Sequence, residues 1–224
     1  DGGEETLIEM ARDVDGILFC FAKVTDKVLR AAKKCVVASR YGVGVDNIDL
    51  DVATDLGIVV TYVPDYCVPE VSDHVISLML AWNRRIVLFD RTTKIRGWGS
   101  EGLGMRIMRL EGKKLGVIGY GRIGRAVAPK ALAFGLDILV YDAVQSDDDI
   151  RASGATPTNL ETLLRESDFI TIHTPLIPET TNLIGAQELE TMKHDAFLIN
   201  CARGGLIDED ALYDALTSGS IAGA

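Results

Sequence analysis

The chain of 224 residues has little aromatic content (6%), an excess of acid over base, and no run of 18 apolar residues. The missing apolar run removes a membrane-spanning helix from consideration, and no signal peptide opens the sequence. With 23 basic against 33 acidic side chains the formal charge is -10. No basic field is there to favour nonspecific contact with nucleic acid or an anionic membrane. Cysteine is scarce too. Cys20, Cys35, Cys67 and Cys201 lie far apart and form no CxxC, so they read as free thiols in a reducing, cytoplasmic compartment, and no metal site is expected. What is present, 47% apolar and 25% charged residues, is the balance of a folded protein with a real core.

The pattern along the chain alternates strand and helix. Short β-prone runs stand at "GILFC" (16–20), "CVVAS" (35–39) and "GIVVTY" (57–62), with helical patterns such as "TDKVLRAAKK" between them. The segment 69–94 reads as one long helix, since its apolar residues recur at spacings of three and four and Pro69 is tolerated in a first turn. A glycine-bearing loop, 97–112, follows. From Lys114 the rhythm repeats: "LGVIG", "RIGRAVAPKALAF", "DILVYD", "TNLETLLRES", "DFITIHT", "GAQELETM", "AFLIN", "DEDALYDALTSG". Thr158 and Glu161 suggest a capping box, Gly135 a helix stop and Gly219 a C-cap. Strands separated by single helices predict an α/β protein with a doubly wound, Rossmann-type parallel sheet. The expected division is a first unit at 1–68 and a second at 69–224. Both ends look interrupted: the chain opens inside a helical pattern and stops at "SGSIAGA", where a strand is beginning.

"VIGYGRIG" sets Gly119, Gly121 and Gly124 as GxGxxG between a β-prone run and a helix, and Asp142 ends the next strand, 23 residues after Gly119. In that context each glycine has a job: Gly119 for the tight turn, Gly121 for approach of a pyrophosphate, Gly124 for close helix packing. Helix-start amides would then face the phosphates. Asp142 would accept both hydroxyls of an adenosine ribose and repel a 2′-phosphate. The residues after it, "AVQSDDD", supply no arginine to neutralise one, which favours NAD over NADP. The alternative is a plain glycine turn with a surface aspartate.

Arg203 follows "FLINCA" at the carboxyl end of a strand, where ligands sit in such sheets, and Gly204 and Gly205 leave room around it. A guanidinium fork matches a carboxylate; a surface arginine capping the strand edge is the other reading. Of the three histidines, His74 is expected to pack against or contact a neighbouring element and His194 to face solvent. His173, at the end of "DFITIHT", is close enough to the cleft to touch a cofactor ribose or to serve structure alone.

The motifs "YGVGVDNIDLDVATDLGIVV", "LEGKKLGVIGYGRIG", "HTPLIPETTNLI", "MKHDAFLINCARGGLIDEDAL" and "GSIAGA" together make the chain resemble the D-isomer-specific 2-hydroxyacid dehydrogenase family. The likeness runs from about residue 14 to the last residue. It implies an NAD-dependent oxidoreductase, phosphoglycerate dehydrogenase-like, that interconverts a small D-2-hydroxyacid and its 2-oxoacid. It also implies that the first unit is part of a flavodoxin-like substrate domain. By matching position, Tyr41, Gly42, Val43 and Gly44 would hold the substrate carboxylate through backbone amides, and Arg203 would bind carboxylate and carbonyl oxygen. Arg122 and Ile123 would wrap the pyrophosphate, Thr174 and Pro175 would line the nicotinamide side, and Cys201, Ala202 and Arg203 would approach the nicotinamide ribose and ring. Helix 69–94 would pack against its twin in a homodimer.

The family's proton donor, a histidine paired with a glutamate, matches no histidine here and belongs to segments beyond "IAGA", so this stretch alone is expected to be inactive. "VPDYCVPEVSDH" leans toward the family's C-terminal-binding corepressor branch, leaving an NAD-binding interaction protein without turnover as the alternative. A dimerisation scaffold is a third. Arg40, next to Tyr41, is a candidate cation for a phosphorylated substrate, unless it is oriented away.

Overall fold

The computed structural model describes residues 3–98 and 107–224; residues 99–106 of the expected loop lie outside the described set. The chain divides into two compact units, Asp1–Cys67 and Val68–Ala224. In the first, helix α1 (Glu4–Ala11) leads into strands β1 (Gly16–Phe19), β2 (Val37–Arg40) and β3 (Val59–Thr61), joined through α2 (Asp26–Ala31) and α3 (Leu50–Asp55). The strands are parallel in the order β1-β2-β3. Alternate residues point to opposite faces of a strand, so Phe19 and Ala38 reach a core with Val28, Leu29 and Ala53 from the helices. Leu18 and Val59 on the other face are exposed. α1 begins at Glu4, with Gly3 as its N-cap.

The second unit holds α4 (Val68–Asn83), α5 (Ile86–Arg96), β4 (Lys114–Ile118), α6 (Arg122–Ala133), β5 (Asp137–Tyr141), α7 (Asp147–Ala152), β6 (Thr156–Pro157), α8 (Leu160–Glu166), β7 (Phe169–Ile172), α9 (Ala186–Thr191), β8 (Phe197–Asn200) and α10 (Glu209–Ser218). Its sheet is parallel throughout in the order β6-β5-β4-β7-β8. β4 and β7 are covered on both sides, which is why "LGVI" and "FITI" are unbroken apolar runs. One layer sets Val75 and Met79 of α4 and Val127 and Ala128 of α6 against the sheet; the other sets Leu163, Leu164 and Leu189 from α8 and α9. Strand order reverses at β4, with β5 on one side and β7 on the other. A ligand crevice opens beyond the carboxyl ends at such a point.

The expected single helix over 69–94 is two helices. Arg85 sits in the left-handed region at φ 54°, and its guanidinium carbon lies 3.9 Å from the ring centre of Trp82. Trp82 stacks on Phe197 at 4.5 Å. Asn83, nearly fully buried, clasps both backbone groups of Met108 at 3.0 and 3.3 Å. α4 is thus tied to the sheet, while α5 buries none of its residues. The apolar spacing is continuous, but the packing partners are not.

Two smaller expectations also shift. Helix α8 is capped by Asn159, which accepts from Thr162 N at 2.8 Å. Thr158 is still held at the strand edge, donating from its backbone to Val140 O, so no Thr158–Glu161 box forms. The "SDDD" read only for its lack of a cation opens helix α7, with Ser146 as N-cap and three aspartates at the favourable end of the helix dipole. Gly219 does end α10, at φ 72°. Residues 222 and 223 pair with the β8 region, Ala222 N to Ala196 O and Leu198 N to Gly223 O, both at 3.0 Å.

Candidate functional site

Four strand ends of the second unit meet at the crevice. β4 delivers Gly119 at φ 92°, where a Cβ would stand 2.8 Å from His173 C and Thr174 N after β7. A Cβ on Gly124 would stand 2.4 Å from Gly119 O, so the first turn of α6 rests directly on the glycine turn. Gly121, the N-cap of α6, differs: a Cβ there would meet nothing within 4 Å. That space stands at the start of α6, whose first-turn amides, Arg122 and Ile123 among them, have no partner within the helix and suit a phosphate group.

β5 ends at Asp142. Its Oδ2 accepts from Tyr120 N at 2.5 Å, and its Oδ1 accepts from Val144 N and Gln145 N at 2.8 Å each. Partial burial works to raise the carboxyl pKa, but those three amides and the charge of Arg125 outweigh it and hold the group below its ordinary value. Oδ2, with one protein donor, keeps a lone pair for a further hydroxyl. Arg125 escaped the sequence reading because it comes from α6, not from the stretch after Asp142. Its Nε donates to Tyr120 O at 3.1 Å, and its Nη2 donates to Gln145 Oε1. The only signal was a basic residue directly after the last glycine of the motif.

His173, Thr174 and Pro175 follow the end of β7. His173 Nε2 pairs with Thr171 Oγ1 at 3.0 Å. His173 Nδ1 and Thr174 Oγ1 are buried, and among the described residues neither finds a partner. Burial drives the His173 pKa down to about 4, so the ring is neutral near pH 7. Two orphaned polar atoms beside the glycine turn fit a bound group with its own donors and acceptors. Together with the gap at Gly121 and the acceptor at Asp142, they fit a dinucleotide.

β8 ends at Asn200, followed by Cys201, Ala202 and Arg203. Asn200 Nδ2 donates to Arg203 O at 2.7 Å, and Asn200 Oδ1 accepts from Ala202 N at 3.0 Å. One amide side chain thereby closes the turn from which Arg203 projects. A polar residue ending an apolar strand was the available signal for Asn200, and the sequence reading passed over it. Arg203 is half-buried, and its Nη1 donates to Ala202 O at 2.9 Å. Burial pushes the Cys201 thiol up, so it stays a thiol. His194 is exposed as expected, and His74 is exposed as well.

In the first unit, Tyr41, Gly42, Val43 and Gly44 form a loop after β2. Gly42 O accepts from Val63 N at 3.0 Å, and Gly44 O accepts from the Arg40 guanidinium. Both anchors use carbonyl oxygens and leave the amides of Gly42, Val43 and Gly44 alone, but Tyr41 N donates to Phe19 O at 3.1 Å, which corrects the expectation that all four amides serve a carboxylate. Arg40 is buried, its Nε donates to Cys20 O at 3.1 Å, and it lies beneath Gly42, where a Cβ would come within 3.1 Å of it. The candidate phosphate cation is therefore a strut inside the loop.

Residues 76–224 match the family described as D-isomer specific 2-hydroxyacid dehydrogenase, NAD binding domain. A glyoxylate reductase of Thermococcus litoralis is 41% identical over 227 residues, covering 97% of this chain and 68% of the relative. A D-3-phosphoglycerate dehydrogenase of Methanocaldococcus jannaschii is 41% identical over 220 residues, covering 97% of this chain and 42% of its own. The structure of an Aquifex aeolicus D-lactate dehydrogenase complexed with NAD and lactic acid superposes with TM-score 0.91 at 34% identity, covering 96% of this chain and 65% of that one. The chain belongs to the D-isomer specific 2-hydroxyacid dehydrogenase family, and residues 76–224 are its NAD-binding domain.

Proposed function

We propose that this chain carries the coenzyme domain and part of the substrate domain of an NAD-dependent oxidoreductase that interconverts a D-2-hydroxyacid and its 2-oxoacid. The observation that carries this reading is the meeting of the Gly121 gap, the Asp142 acceptor, the orphaned His173 and Thr174 atoms and the half-buried Arg203 at adjoining strand ends of a family member. When bound, the nicotinamide supplies or accepts the hydride. The Arg122 and Ile123 amides hold the pyrophosphate, and Asp142 accepts from the adenosine ribose. Thr174, Pro175, Cys201 and Ala202 flank the nicotinamide ribose and ring. Arg203 grips the substrate carboxylate and carbonyl oxygen, stabilising charge that grows on that oxygen during hydride attack.

The first unit, to about residue 68, is read as the flavodoxin-like substrate part, with the amides of Gly42, Val43 and Gly44 on the carboxylate. The names glyoxylate reductase, D-3-phosphoglycerate dehydrogenase and hydroxypyruvate reductase among the relatives share one reacting unit, a 2-oxoacid or its 2-hydroxyacid. Arg40, used inside its loop, gives no argument for a phosphorylated one. The corepressor-like alternative gains no support from these relatives. A homodimer through α4 and α5 is supported by the apolar residues that α5 leaves in solvent, Ile86, Val87, Leu88 and Ile95. Four free cysteines fit a cytoplasmic setting.

Replacing Arg203 with alanine in the active protein tests the clamp. The expected result is a loss of roughly 10²-fold or more in kcat/KM with NAD affinity changed only a few-fold. Collapse of NAD binding in a folded variant would instead make Arg203 a cofactor residue.

A further inference from the structure

The amino ends of β4 and β7 lie at the edge of the sheet opposite the coenzyme crevice. A cavity of about 480 Å³ opens there, and its lining carries four basic side chains, Lys113, Lys114, Arg165 and Lys193, against two carboxylates, Glu166 and Asp168. In a chain of net charge -10 this corner is locally positive. Asp168 organises it. Its carboxyl is nearly fully buried, and Oδ1 accepts from Lys113 and Lys193 together, at 3.0 and 3.2 Å. One negative charge thus holds two positive ones side by side. Lys114 is matched by Glu166, Nζ to Oε2 at 2.6 Å. Arg165 pairs along its own helix with Glu161, and both side chains are largely in solvent, where such a pair is weak and readily exchanged. Each ammonium has three N–H groups, and the bond to its carboxylate uses one. The side chains of Lys113, Lys114 and Lys193 are 29%, 35% and 34% exposed, so their charges are screened less than those of fully exposed lysines. Helix α8 ends at this edge, so its first-turn amides face away and side chains would have to hold an anion.

We propose that this cavity is an anion site at the amino edge of the sheet, and that it takes a small doubly charged oxyanion of the phosphate class, free or carried on a non-aromatic molecule. A dianion matches the excess of two positive charges in the lining. Its oxygens accept from Lys113 and Lys193 while both keep Asp168, and Arg165 can leave Glu161 to join them. The volume is in the range that holds a small organic ligand. No aromatic side chain is among the lining residues, which leaves a nucleotide base nothing to stack on. The site stands independently of the dinucleotide reading.

The test is calorimetric titration of the purified protein with inorganic phosphate and with glycerol 1-phosphate at constant ionic strength, repeated with NAD at saturation. Saturable binding should persist when NAD fills the crevice. Tighter binding of the glycerol ester would identify an organic phosphate as the ligand, and equal binding the free ion. Lys193→Gln keeps a donor for Asp168 but loses the charge, and should weaken phosphate by about 10-fold or more, the scale of one charge-assisted hydrogen bond. Arg165→Gln, at an exposed position, should weaken it by about threefold and leave Tm unchanged. If Lys193→Gln melts early, the parent still decides. Saturating phosphate should slow acetylation of Lys113, Lys114 and Lys193 by about threefold or more, read by mass spectrometry against the exposed Lys27 and Lys34. No saturable binding beyond the effect of salt, loss of binding when NAD is added, or an affinity unchanged in both variants overturns the proposal. Protein that holds phosphate here but binds no NAD would contradict the dinucleotide reading and leave this site standing.

Discussion

Gly121 and Gly124 stand three positions apart, and a methyl group would do opposite things at them. At Gly121 it would enter open space at φ -74°; at Gly124 it would press on Gly119 O at 2.4 Å. Gly121→Ala should therefore keep its stability within about 0.5 kcal/mol and lose at least about 10-fold in NAD affinity, by crowding the pyrophosphate. Gly124→Ala should cost about 1–3 kcal/mol from overpacking, visible as a lower Tm before any ligand is added. Equal effects of the two changes on stability would contradict the division of roles.

His173 belongs to the same scale. Its folded pKa of about 4 lies below the value of about 6.5 expected in the unfolded chain. As pH falls through that window the unfolded state takes up the proton first, so stability is complete above about 6.5 and is progressively lost toward about 4. The loss should reach about 3 kcal/mol, and His173→Gln, denatured over the same pH range, should flatten it. An unchanged slope would place the acid sensitivity elsewhere. The glycine pattern was legible because spacing alone constrains it. Neither the neutrality of His173 nor the grip of Asn200 on the Arg203 turn was legible, because both follow from what surrounds the side chain.

Among the elements, the strands were read well because buried parallel strands are short continuous apolar runs. The break at Arg85 was hidden because apolar periodicity does not say which partner lies opposite. Asp168 was equally hidden. It is buried just before β7, and it joins the backbone amide of Lys114 at 2.9 Å and the ammonium groups of Lys113 and Lys193 at 3.0 and 3.2 Å. Burial opposes its ionisation, but those donors win and hold its pKa below the usual value. Its contribution is thus present above the unfolded carboxylate pKa of about 3.9 and lost only in stronger acid, outside the His173 window. Asp168→Ala should destabilise by about 3 kcal/mol in chemical denaturation at neutral pH. A change under about 0.5 kcal/mol, the usual scatter for surface sites, would make the cluster a solvated surface feature.

At the scale of the whole molecule the apolar residues that α5 leaves exposed, Ile86, Val87, Leu88 and Ile95, lead to one expectation about association, the proposed homodimer. Sedimentation should give twice the mass of one chain, and placing aspartates at Ile86 and Leu88 should release monomers with little change in Tm. A monomeric parent would remove the dimer from the account. The central claim is hydride transfer on a D-2-hydroxyacid, and the direct measurement is formation of reduced nicotinamide by the native protein with NAD and matched D- and L-enantiomers of small 2-hydroxyacids. The account predicts turnover with a D-enantiomer, little with its mirror image, and a collapse in Arg203→Ala. Turnover with the L-enantiomer alone, or none with any 2-hydroxyacid in protein that binds NAD, would contradict it.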